Sequence, residues 1–160
     1  MSLESVKKEF ETYGIADRIV VLHESSATVH LASVALGCTE AEIAKTMSFL
    51  VDEQPIVIVM AGDVKISNHK YKAFFHKKAR MLHGEEVEEY TSHPIGGVCP
   101  FGLKENVIVY LDESLKRFEY LYPACGSVNS AIKLTLDELI QYSHYHEWID
   151  VTEQLNPENE

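Results

Sequence analysis

Residues 47–51 (MSFLV) and 56–61 (IVIVMA) are two apolar runs separated by the four residues DEQP. Neither run has a polar face, so each must be buried on both sides, while the acids and proline between them suit a turn. The spacing predicts a buried antiparallel pair, and the rest of the chain has to cover it. With 160 residues and 46% hydrophobic content, there is enough material to do so within one compact domain. The expected organisation is a single domain over residues 1–152 followed by an acidic tail, 153–160, that frays.

The remaining segments read as alternating short helices and strands. Leu3, Val6, Phe10 and Tyr13 share a helical face, and Gly14 follows as a stop. Residues 19–23 (IVVLH) suit a strand, and residues 29–36 a helix that ends at Gly37. Thr39 and Glu42 have capping-box spacing, predicting a short helix that carries Ile43, Ala44 and Lys45 up to the first buried strand. Ser67 can cap a helix over 68–78 whose apolar stripe is Tyr71, Phe74 and Phe75. A strand at 79–83, an acidic helix at 85–90, and strands at 107–111, 120–124 and 131–135 follow. Thr135 and Glu138 repeat the capping box before a last helix, and residues 148–151 can form an edge strand. Strands interrupted by helices without regular βαβ alternation predict an α/β (α+β) fold with a mixed, mostly antiparallel sheet and flanking helices.

Charge and cysteine content narrow the function classes. The formal charge of −11 argues against a protein coated in nucleic acid, yet residues 65–80 hold Lys65, Lys70, Lys72, Lys77, Lys78 and Arg80 with no acid. Such a run is either a solvated helix face or a phosphate-binding patch. Cys38, Cys99 and Cys125 form neither a CxxC pair nor a disulfide framework, which fits a reducing compartment. His144 and His146 are two residues apart with no third ligand, so no metal site is expected. No apolar run reaches the roughly 18 residues of a membrane span, and the N-terminus lacks the order of a signal peptide, so a cytoplasmic protein is expected.

Chemistry concentrates in residues 93–103 (HPIGGVCPFGL), with three glycines and two prolines. The pair Gly96-Gly97 lets backbone N–H groups approach a ligand as an oxyanion site, although the same composition also makes a plain tight connection. Lys45 either projects its ammonium into a pocket or is solvated like most lysines. Cys99 with His93 invites a thiol-hydrolase reading, for which no third orienting residue can be named.

Lys45-Thr46, GDVKIS, GGVCPFG, LDES and ACGSVN stand in an order that resembles the YbaK/ProX family of trans-editing domains, over roughly residues 15–151. The resemblance implies a mixed sheet curled toward a barrel, with the ligand cleft between the lysine helix and the glycine loop. It implies hydrolysis of the ester joining a wrong amino acid to the 3′-terminal adenosine of tRNA, most often tRNA for proline or for small amino acids. No cofactor is implied, and the implied partners are the acceptor end of aminoacyl-tRNA and an aminoacyl-tRNA synthetase. Carried onto this chain, Lys45 would hold the terminal nucleotide, and Gly96, assisted by Gly97, would offer its amide to the carbonyl oxygen. Thr28, Thr46, Cys99, Pro100, Cys125, Gly126 and Asn129 match substrate-pocket positions. Cys99 stands where many members carry Ser, and Ala131 where Cys-tRNA-deacylating relatives have Asp, so cysteine specificity does not transfer. Lys70, Lys72, Lys77 and Lys78 would face the acceptor stem. The alternative is a non-catalytic module of the same fold that binds a tRNA 3′ end or a nucleotide. The sequence does not give an oligomeric state.

Overall fold

The computed structural model describes residues 2–155. Its centre is the expected hairpin: β2 (Ile43–Val51) runs antiparallel to β3 (Gln54–Ala61), with Lys45 opposite Met60 and Thr46 opposite Val59. The turn is tighter than the composition suggested, because Asp52 takes a left-handed backbone and Gln54 and Pro55 already belong to β3.

Around this pair a six-stranded sheet forms in the order β8 (Leu134–Thr135), β6 (Tyr120–Pro123), β2, β3, β5 (Ile108–Asp112), β9 (Glu147–Ile149). β6 joins β2, β5 joins β3 and β9 joins β5 in parallel, whereas β8 meets β6 antiparallel. Two small antiparallel ladders accompany it: β1 (Val20–Val21) with β7 (Ser130–Ala131), and β4 (Val64–Ile66) with β10 (Thr152–Gln154). The sheet is therefore mixed, and it curls into a half-barrel with helices on its flanks.

The alternation along β3 explains why its run shows no polar face. Val57 and Val59 enter a core with Val6 and Phe10 of α1 (Ser2–Tyr13) and Leu139 of α5 (Leu136–Ser143). Ile56, Ile58 and Met60 point the other way, into a core closed by Tyr71 of α3 (Asn68–Phe75) and by Ile149 and Val151. Both faces are covered, so apolar residues are required at every position.

Several local expectations change. The strand expected at 79–83 is reduced to one antiparallel bridge, Met81 with Phe49. The Thr39–Glu42 capping box forms, but it caps a single 3-10 turn, Glu40–Glu42, and β-branched Ile43 already starts β2. Lys45 is thus a strand residue and the cleft has no lysine helix. Residues 131–135 split into β7 and β8, because Ile132 and Lys133 cross from one strand partner to another. The helix capped by Ser67 stops at Phe75, where His76 adopts a left-handed backbone, so Lys77 and Lys78 lie beyond it. Glu153 and Gln154 are not frayed: they pair with Lys65 and Val64 in the β10–β4 ladder. The rest of the expected tail, residues 156–160, lies outside the described residues.

Candidate functional site

A gap in one edge of β2 creates the site. β6 pairs only with Ile43 and Ala44 before it turns away. Further along, residues 80–82 dock on the same edge: Leu82 N–H donates to Ser48 O, and Leu50 N–H to Arg80 O. Backbone groups of alternate strand residues face the same edge, so the N–H and C=O of Thr46 face the interval between the two neighbours. Among the described residues no backbone partner fills that interval.

The interval is the floor of a cleft of about 370 Å³. One wall is α2 (Val29–Leu36) with the preceding residues 26–28; another is Met81–Gly84 with Val87 of α4 (Glu85–Thr91); Gly96 and Ile95 form the rim, and Ala124, Ser130 and Ala131 close the end. The lining is largely apolar and contains no carboxylate; its titratable side chains are Lys45, His83 and Tyr122. Among the described residues, the buried Thr46 hydroxyl has no hydrogen-bond partner, the kind of group that a bound ligand would satisfy.

Lys45 reaches into the cleft from β2 and its ammonium donates to the Val64 carbonyl. Burial lowers its pKa, and the Asp63 carboxylate pulls partly back. Asp63 is itself held by a two-pronged ion pair with Arg117 at 2.5 and 3.1 Å. Among the described residues, the Val64 carbonyl is the one hydrogen-bond acceptor that this amine meets.

Gly96 lines the same cleft with φ +87, and a side chain there would bring its Cβ within 2.7 Å of the Ala27 Cβ and 3.4 Å of Val128. Only glycine combines that backbone with so close an approach to residue 27. Among the described residues, the Gly96 N–H makes no backbone hydrogen bond, whereas Gly97 N–H donates to Pro94 O at 3.0 Å. Gly97 does not line the cleft. Its expected help as a second oxyanion donor is unavailable in this conformation, because the amide closes the Pro94 turn; Gly97 instead packs on the backbone of Gly126 and Ser127.

The substrate-pocket positions divide in the same way. Thr28 and Thr46 line the cleft; Cys99, Pro100, Cys125, Gly126 and Asn129 do not. Cys99 and Cys125 are wholly buried, and Asn129 is spent on Leu22, donating to its carbonyl at 3.0 Å. The side chains that take their place are Ser48, Met81, Leu82 and Ser130, each next to or opposite a segment the sequence singled out but invisible to a reading by motif. Ala131, where an acid was noted in some relatives, does line the cleft.

Cys99 and His93 are adjacent, with Sγ 3.5 Å from Nε2, but both are fully buried away from the cleft. Burial pushes the thiol far up and the imidazole pKa down, and His93 Nε2 lies 2.6 Å from the Phe101 carbonyl. The pair holds the inner side of the glycine loop; it is a neutral thiol beside a neutral imidazole, which is no nucleophile.

The basic run loses much of its free charge. Lys70 is held by Asp150 at 3.1 Å and by the Thr152 carbonyl at 2.8 Å, Lys77 pairs with Asp52, Lys65 with Glu153 and Arg80 with Glu86. Lys72 and Lys78 are exposed and take no part in these pairs. No residue of α3 lines the cleft.

A family model for the aminoacyl-tRNA editing domain matches residues 23–142. The chain belongs to that family. This editing domain is 50% identical over 152 residues to YwhH, an uncharacterized protein of Bacillus subtilis, covering 94% of this chain and 97% of the other. It is 25% identical over 123 residues to EbsC of Enterococcus faecalis, named as a candidate Cys-tRNA(Pro)/Cys-tRNA(Cys) deacylase, covering 76% and 75% of the two chains. Among solved structures, a candidate trans-editing enzyme for prolyl tRNA synthetase superposes with a TM-score of 0.84 at 27% identity, over 95% of this editing domain and 97% of that chain. Among the described residues, no helix is long and apolar enough to cross a membrane.

Proposed function

We propose that this chain is a trans-editing deacylase that hydrolyses the ester of a mischarged tRNA, with tRNA for proline or for a small amino acid as substrate. The observation that carries the reading is the cleft at the open edge of β2, which both Lys45 and Gly96 line. Membership of the editing-domain family supports it, as do the names of EbsC and of the trans-editing structure.

An aminoacyl ester is already activated, so orientation and charge stabilisation suffice, without a covalent enzyme nucleophile. In the proposed reaction Lys45 holds the terminal nucleotide by phosphate or ribose, which places the ester carbonyl at Gly96. Water adds to the carbonyl carbon, aided by the ribose hydroxyl, and the Gly96 N–H donates to the oxygen as it gains charge. The carbon to ribose-oxygen bond then breaks, the ribose oxygen takes the proton that water gave up, and free amino acid leaves. Lys72 and Lys78 are the cations best placed to meet acceptor-stem phosphates, with Lys70 and Lys77 contributing only if their acidic partners let go. A cytoplasmic location and association with a prolyl-tRNA synthetase fit this role.

The test is deacylation of Ala, Ser, Thr, Cys and Pro esters of tRNA for proline and of cognate tRNAs, with wild-type protein beside Lys45→Ala. Rapid loss of one species that depends on Lys45 is expected. Binding of charged tRNA without turnover would assign the chain to a non-catalytic tRNA-binding module instead.

A further inference from the structure

We infer that Glu9, on a helix outside the stretch matched by the family model, is a positioning residue that holds the Gly96 loop in register with the cleft. The inference rests on the deacylase reading for its catalytic consequence, and on geometry alone for its structural one.

The loop from Ser92 to Gly102 is closed at its neck, where Ser92 Oγ donates to the Gly102 carbonyl at 2.9 Å. Both sides of that neck are tied to α1. Ser2 Oγ donates to the Ser92 carbonyl at 2.5 Å, and Gly102 N–H donates to Glu9 Oε1 at 3.0 Å. Ser2 and Glu9 are two helical turns apart, roughly 10 Å of axial rise, so one rigid rod spans the neck. Beside them the Phe10 and Phe101 rings pack edge to face with centroids 4.8 Å apart. The family match begins at residue 23, after α1 has ended.

Glu9 is also fixed from behind. Tyr13 O–H donates to its second oxygen at 3.1 Å, and the Tyr13 oxygen lies 2.6 Å from His144 Nε2. Burial and the Glu9 charge push the Tyr13 hydroxyl up to about 12, which keeps it a donor. The consistent arrangement has His144 donating to Tyr13, Tyr13 to Glu9, and Gly102 to the other Glu9 oxygen. A carboxylate, which only accepts, suits a position between two donors. The amide of glutamine also suits it, because one end accepts from Gly102 while the other donates to the Tyr13 oxygen. Alanine supplies neither.

The experiment compares wild type, Glu9→Ala and Glu9→Gln by amide hydrogen exchange at Gly97 and by deacylation kinetics, each well below the variant's melting temperature. Gly97 N–H reports on the loop because it donates to Pro94 O. In Glu9→Ala, exchange at Gly97 should speed up at least about tenfold and kcat should fall roughly 10- to 100-fold with KM within about twofold, as expected for a misplaced donor. Glu9→Gln should restore both. Unchanged exchange, faster exchange with unchanged kcat, or a Gln variant no better than Ala would each overturn the inference. If the wild type shows no turnover, the deacylase reading fails along with the catalytic half of this proposal, while the exchange data still decide whether Glu9 holds the loop.

Discussion

Replacing Gly96 with alanine tests whether the cleft rim works by backbone geometry. At φ +87 a residue with a Cβ costs about 1–2 kcal/mol relative to glycine. The new methyl would lie 2.7 Å from the Ala27 Cβ and 3.2 Å from its Cα. Carbon atoms prefer roughly 3.5–4.0 Å, so about an ångström must open, at the ~1–3 kcal/mol typical of overpacking. Residue 27 gives little, because its N–H is held by Ser25 Oγ and the next residue, Thr28, caps α2 by accepting from Leu31 N–H. The loop moves instead and takes the Gly96 amide with it. The combined cost of about 2–5 kcal/mol leaves a domain with the usual ~5–15 kcal/mol folded, with a melting temperature lower by roughly 4–20 °C. A donor displaced by about an ångström should lower kcat about 100-fold. Thermal melts and single-turnover deacylation measure the two effects. The double variant Ala27→Gly/Gly96→Ala removes the closest contact and should recover part of both. Wild-type kcat in Gly96→Ala, or a double variant no better than the single, would refute the reasoning.

Three further outcomes follow from the same geometry. Iodoacetamide should leave the native protein active, and Cys99→Ser should keep turnover within about threefold, since a buried, protonated thiol takes no part in chemistry; inactivation by alkylation at Cys99 would revive the thiol-hydrolase reading. The folded-state pKa of His93 lies below its ordinary 6.5, so the stability due to its neutral form is complete above about pH 6.5 and is lost as pH falls toward the lowered value. Denaturation curves should lose up to about 1.4 kcal/mol per pH unit in that window, and His93→Gln should flatten the slope. Lys72→Ala/Lys78→Ala should weaken tRNA binding and reduce its salt dependence by more than Lys70→Ala/Lys77→Ala, because the latter pair is already neutralised by Asp150 and Asp52; equal effects in a salt titration would show that those pairs open on binding.

What could be read from the sequence was mostly what is local. Both capping boxes form, at Thr39 with Glu42 and at Thr135 with Glu138, because each needs only four consecutive residues. The hairpin was legible because burial on two faces leaves no room for polar residues. The capping box suggests a helix that reaches Lys45, but a cap announces a start and not a length; the 3-10 turn ends after three residues, once Ile43 finds Tyr122 as a parallel partner 79 positions away. The same long-range pairing made a strand of Glu153 and Gln154, whose composition suggested a frayed tail. Of the residues singled out, Gly96, Lys45, Thr28 and Thr46 line the cleft, whereas Cys99, Pro100 and Cys125 lie in neighbouring segments and are buried away from it. Motif spacing locates a loop but does not decide which side of it faces the ligand. The charge of residues 65–80 misled for a related reason, since the acids that answer it, Asp52, Asp150 and Glu153, come from elsewhere in the chain.

The interval in the edge of β2 has a second consequence, one of solubility. An unpaired strand edge is a template for another strand, and a flat apolar one invites self-association. Here the exposed template is short, because β6 ends it on one side and residues 80–82 on the other. The opening is thus too short to nucleate a fibril. Enlarging it to accept bulkier substrates, by trimming α4 or loosening Met81, would trade selectivity against aggregation.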